Sequence, residues 1–242
     1  MVRLSVNVNK VATLRNSRGG KVPSLTDAVR VCIEAGAPGI TVHPRADERH
    51  ITRDDVLEVA ELLAPLRETV EYNIEGDPRP DFLELVRGVR PHQVTLVPVK
   101  PGEVTSEAGW PTGTSLESEV RALREDGIRV SLFVDPTRDA VEWAAAMGGD
   151  RVELFTEPYA RAAEISSDRA GRSFREYVEA AEHAHRLGLG INAGHDLDLE
   201  NLVLFRDLPH LDEVSIGHAL MGRALFVGLE KVVGEYLEVL SD

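Results

Sequence analysis

The segment GITVHPRADERHITRDDVLEVAELLAPLRETVEYNIE, Gly39 to Glu75, decides the fold. It opens with a short β-rich run, GITVH (39–43), and passes through a charged loop. TRDDVLEVAELLAPL follows, an amphipathic pattern with Thr52 placed as its N-cap. A second β-rich run, VEYNIE (70–75), closes the unit. Strand, helix and strand in that order predict parallel pairing through a right-handed crossover.

The same unit recurs on both sides. The other β-rich runs are RLSVNV (3–8), HQVTLV (92–97), RVSLFV (129–134), RVELF (151–155), LGINA (189–193) and DEVSIG (212–217), with amphipathic segments such as SLTDAVRVCIEAG between them. Eight units in 242 residues average about 30 residues, the size of one (β/α)8 repeat. No Ser- or Gly-rich linker divides the chain. The expected fold is therefore α/β, one (β/α)8 TIM barrel with additional short helices over residues 1–242. An open doubly wound sheet is the alternative, but no GxGxxG follows the first run to support it.

Bulk properties narrow the function. The 27 basic and 41 acidic residues give a net charge of −14, which argues against nucleic acid or an anionic membrane as partner. The single cysteine, Cys32, lies in an apolar stripe and reads as core. No internal disulfide is possible, which suits a reducing cytosol. No apolar signal core opens the chain and no run approaches a membrane span. The expectation is a soluble, cytoplasmic protein.

Splitting each run by parity shows a second pattern, because side chains alternate faces along a strand. One parity is apolar: Val6 and Val8, Ile40 and Val42, Tyr72 and Ile74, Val94 and Leu96, Val152 and Leu154, Val214 and Ile216. The other is largely polar: Ser5, Asn7 and Asn9, Thr41 and His43, Asn73 and Glu75, Thr95, Ser131 and Asp135, Glu153, Asn192, Ser215. In a barrel the polar set points inward, where an unpaired buried amide or carboxylate costs a few kcal/mol. Such an interior reads as a binding cavity. A half-exposed antiparallel sheet would give the same alternation but not the intervening helices.

Four of the eight histidines, His43, His50, His195 and His218, fall at or just beyond strand C-termini, as do Glu75 and Asp135. That rim is where barrels of this kind carry active sites. His92, His183, His185 and His210 read as surface or capping residues. The one HxH, His183–Ala184–His185, lies in a helical pattern; no HExxH or paired-cysteine spacing suggests a metal, and no GxSxG elbow suggests a nucleophile.

Anion binding is better provided for. GHALMGRAL (217–225) and NAGHD (192–196) place glycine and histidine after the last two strands, where free backbone N–H groups favour a phosphate. TLRNSRGG (13–20) follows the first strand with Arg15 and Arg18, and Arg45, Arg49 and His50 add charge beside it. Arg15 and Arg49 read as solvated. Two anion sites on one rim would suit two phosphorylated substrates or one bisphosphate.

Together VNVNKVATLRNSRGG, GITVHPRADERHIT, YNIEG, QVTLVP, EVTSEAGW, VSLFVD, INAGHDL and IGHALMGRA resemble the pyridoxine 5′-phosphate synthase family, in order from about residue 3 to the last helix. The resemblance implies condensation of 1-deoxy-D-xylulose 5-phosphate with 3-amino-2-oxopropyl phosphate, releasing phosphate and water. It also implies a cytoplasmic barrel, a homo-octamer built from dimers, and no metal or organic cofactor. By the same resemblance His43 and Glu75 are proton acceptors, His195 a proton donor and Glu153 a transition-state stabiliser. Asn7, Gly217 and His218 fall to the aminoketone phosphate, and Arg18, Arg45, His50 and Thr105 to deoxyxylulose phosphate and other substrate atoms. Segments 98–114 and 156–173 are long enough to cover the rim as loops.

The sequence departs from the family pattern at two places. Asn9-Lys10 stands where many members have Asp-His, and Asp196 where many have Gly. All three are expected at the substrate, with Asp196 an awkward neighbour for a phosphate. Two rivals belong to other classes: a phosphosugar isomerase or aldolase, and a non-catalytic pyridoxal-phosphate carrier. None of the lysines at 10, 21, 100 and 231 lies on an inward strand position, as a Schiff-base carrier would need.

Overall fold

A computed structural model describes residues 2–100, 102–103 and 105–241. Pro101 and Val104, both in the 98–114 segment, lie outside the described residues. The first half runs β1 (Arg3–Asn7), α1 (Asn9–Asn16), α2 (Leu25–Glu34), β2 (Gly39–Val42), α3 (Arg53–Leu63), β3 (Glu71–Gly76), α4 (Pro80–Val89) and β4 (Gln93–Leu96). The second half runs α5 (Glu117–Glu125), β5 (Arg129–Val134), α6 (Arg138–Ala146), β6 (Arg151–Phe155), α7 (Glu157–Ile165), α8 (Ser167–Arg186) and β7 (Gly190–His195). It ends with α9 (Leu202–Phe205), β8 (Leu211–Ile216), α10 (His218–Val227) and α11 (Leu229–Ser241).

The strands form one closed parallel barrel in sequence order, with β1 returning to β8. The helices start where the sequence places caps. Ser24 accepts from the Asp27 N–H to open α2, and Thr52 and Asp55 form a reciprocal capping box at α3. The apolar parity faces the helices: Val6, Ile40, Ile74, Val94, Val152 and Val214 are fully buried. Each contributes roughly 1.5–3 kcal/mol by leaving water.

The inward parity forms polar layers. At the N-terminal end Arg3 and Arg129 both pair with Glu71, and Arg129 also donates to Gln93 Oε1 at 2.8 Å. Arg151 donates to Asn192 Oδ1 at 2.9 Å, and Glu213 is buried in the same layer. Above it, Ser5 and Thr41 share a 2.6 Å hydrogen bond and Thr95 donates to Asn73 at 3.1 Å. The top layer is divided. Asn7, His43 and Glu75 are polar, whereas Val97, Phe133 and Phe155 form a separate apolar cluster. The inward face is thus less uniformly polar than the sequence parity implies.

Two segments differ from expectation. Residues 13–16 of TLRNSRGG belong to α1, not to a loop, so Asn9 and Lys10 occupy its first turn. Segment 156–173 is the end of one connection followed by α7 and the first third of α8, so it forms a helical wall and not a loop over the rim.

Candidate active site

A cavity of about 330 Å³ opens at the C-terminal end of the barrel. Twelve of the expected residues line it: Asn7, Asn9, Lys10, His43, Arg45, His50, Glu75, Thr105, His195, Asp196, Gly217 and His218. Glu153 lies beneath it, 1 % exposed, within 3.5 Å of His195 Nδ1. Among the described residues, no group of three or more His, Cys, Asp or Glu is placed to hold a metal ion.

The β1–α1 junction builds the floor on one side. Asn7 Oδ1 accepts from the Asn9 N–H at 3.1 Å, while Asn9 Oδ1 accepts from the His43 N–H at 2.9 Å. Asn9 therefore fixes the end of β2 through its carbonyl, which an amide supplies as well as a carboxylate. Asn7 Nδ2 in turn reaches Glu75 Oε2 at 3.5 Å, and His43 Nδ1 stands 3.7 Å from the same oxygen. Burial, reinforced by Glu153 and Glu213, holds the Glu75 carboxyl well above the usual range. Burial also pushes the His43 imidazole well below its ordinary value, helped by the positive charge of Arg45 and by His50. Both groups thus favour their neutral forms.

The second cluster is set by the backbone of β7. Any Cβ at Gly194 would come within 2.4 Å of the Ser215 carbonyl oxygen, so only glycine lets β7 and β8 approach so closely. The next residue, His195, has φ 71, a left-handed conformation rare for a side-chain-bearing residue and found disproportionately at functional sites. Its ring packs edge-on against Phe133, with centroids 5.2 Å apart. Burial, with Lys10 adding to it, lowers His195 to about 4. Burial raises Glu153 to about 7, and the Thr95 hydroxyl tempers that rise only in part. Neither Glu153 oxygen nor His195 Nδ1 has a hydrogen-bond partner in normal geometry. Of the two groups the carboxyl holds a proton to the higher pH, and His195 is a neutral imidazole near neutrality.

Cationic groups line one wall. Arg45 is 4 % exposed, faces the cavity and makes no ion pair among the described residues. Lys10 stands with it, and so does His50, which burial, Arg45 and Lys10 lower to about 4 and thus keep uncharged near neutrality. Beside Lys10, after the neighbouring strand β8, is the start of α10. No side chain caps this helix, so its first N–H groups remain available to an anion. A Cβ at Gly217 would meet the Asn7 Cβ and carbonyl oxygen at 3.0 Å, so glycine is what brings this turn against Asn7.

Several expected residues fall elsewhere. Arg18 is exposed and does not line the cavity. Arg15, read as solvated, instead clamps Asp55 with two bonds of 2.5 and 2.8 Å. Arg49 is exposed and pairs with Asp47, as expected of a solvated residue. Asp135 does not line the cavity; it accepts from the Gly109 N–H at 3.0 Å and so anchors segment 98–114. His183, read as a surface residue, is buried against Glu142. Ser106 and Arg161 also line the cavity, and the sequence reading missed both. Arg161 sits only six residues beyond β6, and that nearness to a strand end was the available signal.

The family model for the pyridoxal phosphate biosynthesis protein PdxJ matches residues 4–242. The chain belongs to the PdxJ family. It is 50% identical to the pyridoxine 5′-phosphate synthase of Leptospira biflexa serovar Patoc, over 100% of this chain and 98% of that relative. It is 51% identical to the synthase of the same name from Porphyromonas gingivalis, with both chains fully covered. The Bacteroides fragilis synthase is 53% identical over 99% of this chain. Phosphoribosyl anthranilate isomerase from Thermotoga maritima superposes with a TM-score of 0.64 at 14% identity, covering 100% of this chain and 99% of its own. That likeness shows the barrel alone, whereas PdxJ membership rests on the sequence matches.

Proposed function

We propose that this PdxJ-family chain is a pyridoxine 5′-phosphate synthase, joining 1-deoxy-D-xylulose 5-phosphate to 3-amino-2-oxopropyl phosphate and closing the pyridine ring. The observation that carries the reading is the set of groups gathered in one cavity. Arg45 and Lys10, without an ion pair among the described residues, line one wall, and the uncapped start of α10 adjoins it across β1. Buried acid–base groups complete the cavity or lie beneath it. Two phosphates bound at the walls would bring an amine and a ketone together over Glu75, His43 and His195.

The amine arrives as an ammonium and must lose a proton before attacking the ketone. Its positive charge favours ionised Glu75, whose raised pKa makes it a stronger base once ionised. Neutral His43 accepts protons shed as the adduct becomes an imine. Protonated Glu153 can donate to His195 Nδ1, leaving Nε2–H to protonate a departing oxygen. When that proton leaves, the Glu153 proton passes to Nδ1, so His195 ends neutral and Glu153 is left as the carboxylate. Loss of water and phosphate completes the aromatic ring. In this reading Asn7, Gly217 and His218 hold the aminoketone phosphate, while Lys10, Arg45, His50 and Thr105 hold deoxyxylulose phosphate. The chain works as one catalytic domain, assembled as a homo-octamer in the cytoplasm.

Incubating the purified protein with both substrates should release pyridoxine 5′-phosphate and inorganic phosphate in equal amounts. Chromatography and a phosphate assay measure the two products. Conversion of either substrate alone would favour an isomerase or aldolase, and binding without turnover would favour a carrier.

A further inference from the structure

Asp196 poses a charge problem that α7 resolves. Its carboxyl lines the cavity beside Gly217 and His218, where the proposed reading puts a substrate phosphate. Two anions in one partly enclosed site repel strongly. Partial enclosure already raises the Asp196 pKa, Glu157 adds to the rise, and Arg161 and His218 oppose it. Arg161 is therefore near enough to act on this carboxylate, and it lines the same cavity.

The present partners of Arg161 are weak. It pairs with Glu157 at 3.0 Å and with Glu164 at 3.2 Å, one turn to either side on α7, while its side chain is 63 % exposed. Exposed helical pairs of this spacing contribute only a few tenths of a kcal/mol each. A dianionic phosphate is a stronger partner, because a guanidinium can meet it with two parallel N–H bonds.

We infer that Arg161 is a further substrate-binding residue, which leaves its helix carboxylates for the phosphate at the Gly217–His218 turn and offsets Asp196 there. The inference rests on the proposed assignment of that turn to the aminoketone phosphate. Arg161 takes no part in proton transfer; it binds the phosphate and sets how well Asp196 is tolerated.

Arg161→Ala and Arg161→Lys test this by steady-state kinetics with each substrate varied in turn. The alanine variant should raise the KM for the aminoketone phosphate about 10-fold, the effect of one lost charge-assisted contact. Its kcat and the KM for deoxyxylulose phosphate should stay within about 2-fold, and the lysine variant should recover part of the loss. In an Asp196→Gly background the Arg161→Ala penalty should shrink by at least about 3-fold, since no carboxylate is left to offset. Unchanged KM for the aminoketone phosphate, a change confined to kcat, or equal penalties in both backgrounds would overturn the inference. If the unmodified protein turns over neither substrate pair, the proposed function falls, and calorimetry with inorganic phosphate decides the role of Arg161 alone. Weaker phosphate binding in Arg161→Ala supports it; identical binding ends it.

Discussion

Glu153 and His195 shift from their ordinary values in opposite directions, and the signs give separable consequences. With Glu153 raised to about 7, the folded protein holds a proton that the unfolded chain releases above about 4.5. This group therefore costs stability as pH rises through that window. With His195 lowered to about 4, the unfolded chain binds the extra proton below about 6.5, so this group costs stability as pH falls. Glu153→Gln removes the first contribution and relaxes Glu75, an effect in the same direction, while leaving the histidine in place. Relative to the unmodified protein it should be more stable at pH 8 than at pH 5 by on the order of 3 kcal/mol, at 1.36 kcal/mol per unit. Denaturant melts at both pH values measure this, and a pH-independent difference would show that the carboxyl is not held protonated. Glu75→Gln and His195→Asn should each lower kcat by about 100-fold or more with the fold retained. Near-normal turnover would make either residue a spacer. Parity made His43, Glu75 and Glu153 legible because strand position fixes the direction of a side chain. Arg161 escaped because a helical residue after the strand has no such rule.

At the scale of elements, the start of α3 shows how a loop is held for function. Asp55 accepts from the Thr52 N–H at 2.8 Å and from both terminal nitrogens of Arg15, while being 4 % exposed. Asn16, at the end of the same α1, donates to the His50 carbonyl at 2.7 Å. The α1–α3 contact thus fixes the loop that carries Arg45 and His50 to the cavity. Asp55→Ala leaves a largely buried guanidinium unpaired and removes one half of the capping box, so it should cost about 3 kcal/mol. It should also raise the KM for deoxyxylulose phosphate. The exposed pair Arg30–Asp27 is the control, and Arg30→Ala should change the melting midpoint negligibly. Equal effects of the two substitutions would remove the clamp. Thr52 and the apolar period announced α3 in the sequence, but Arg15 and Asp55 lie 40 residues apart and only the pairing of β1 with β2 brings them together. Segment 156–173 misled for a local reason: Pro158, Ser166, Ser167 and Gly171 look like loop punctuation. Here Pro158 occupies the first turn of α7, where its missing N–H costs nothing, and Ser166 caps α8 by accepting from the Arg169 N–H.

For the molecule as a whole, the proposed octamer has to overcome a net charge of −14 on each chain. Like-charged protomers repel, although salt at physiological strength screens this beyond about 8 Å. Close apolar contact must then supply the attraction. Phe226 and Leu225, 88 % and 73 % exposed, are adjacent on α10, the helix whose other end forms the Gly217–His218 turn. An exposed phenylalanine alone is unremarkable, but a consecutive pair on a helix that reaches the cavity is suited to a protomer contact. Burying a phenylalanine side chain yields roughly 1.5–3 kcal/mol, and each 1.4 kcal/mol is tenfold in a dissociation constant. Placing a carboxylate there forfeits that gain and adds a desolvation cost at every copy of the contact. Phe226→Asp should therefore lower the mass seen by light scattering at micromolar protein, most clearly at low salt where repulsion is least screened. Far-UV circular dichroism should be unchanged, since the side chain is almost wholly exposed on its own chain. A variant of unaltered mass would exclude this face from the assembly, and an unmodified protein that is monomeric under the same conditions would remove the octamer itself.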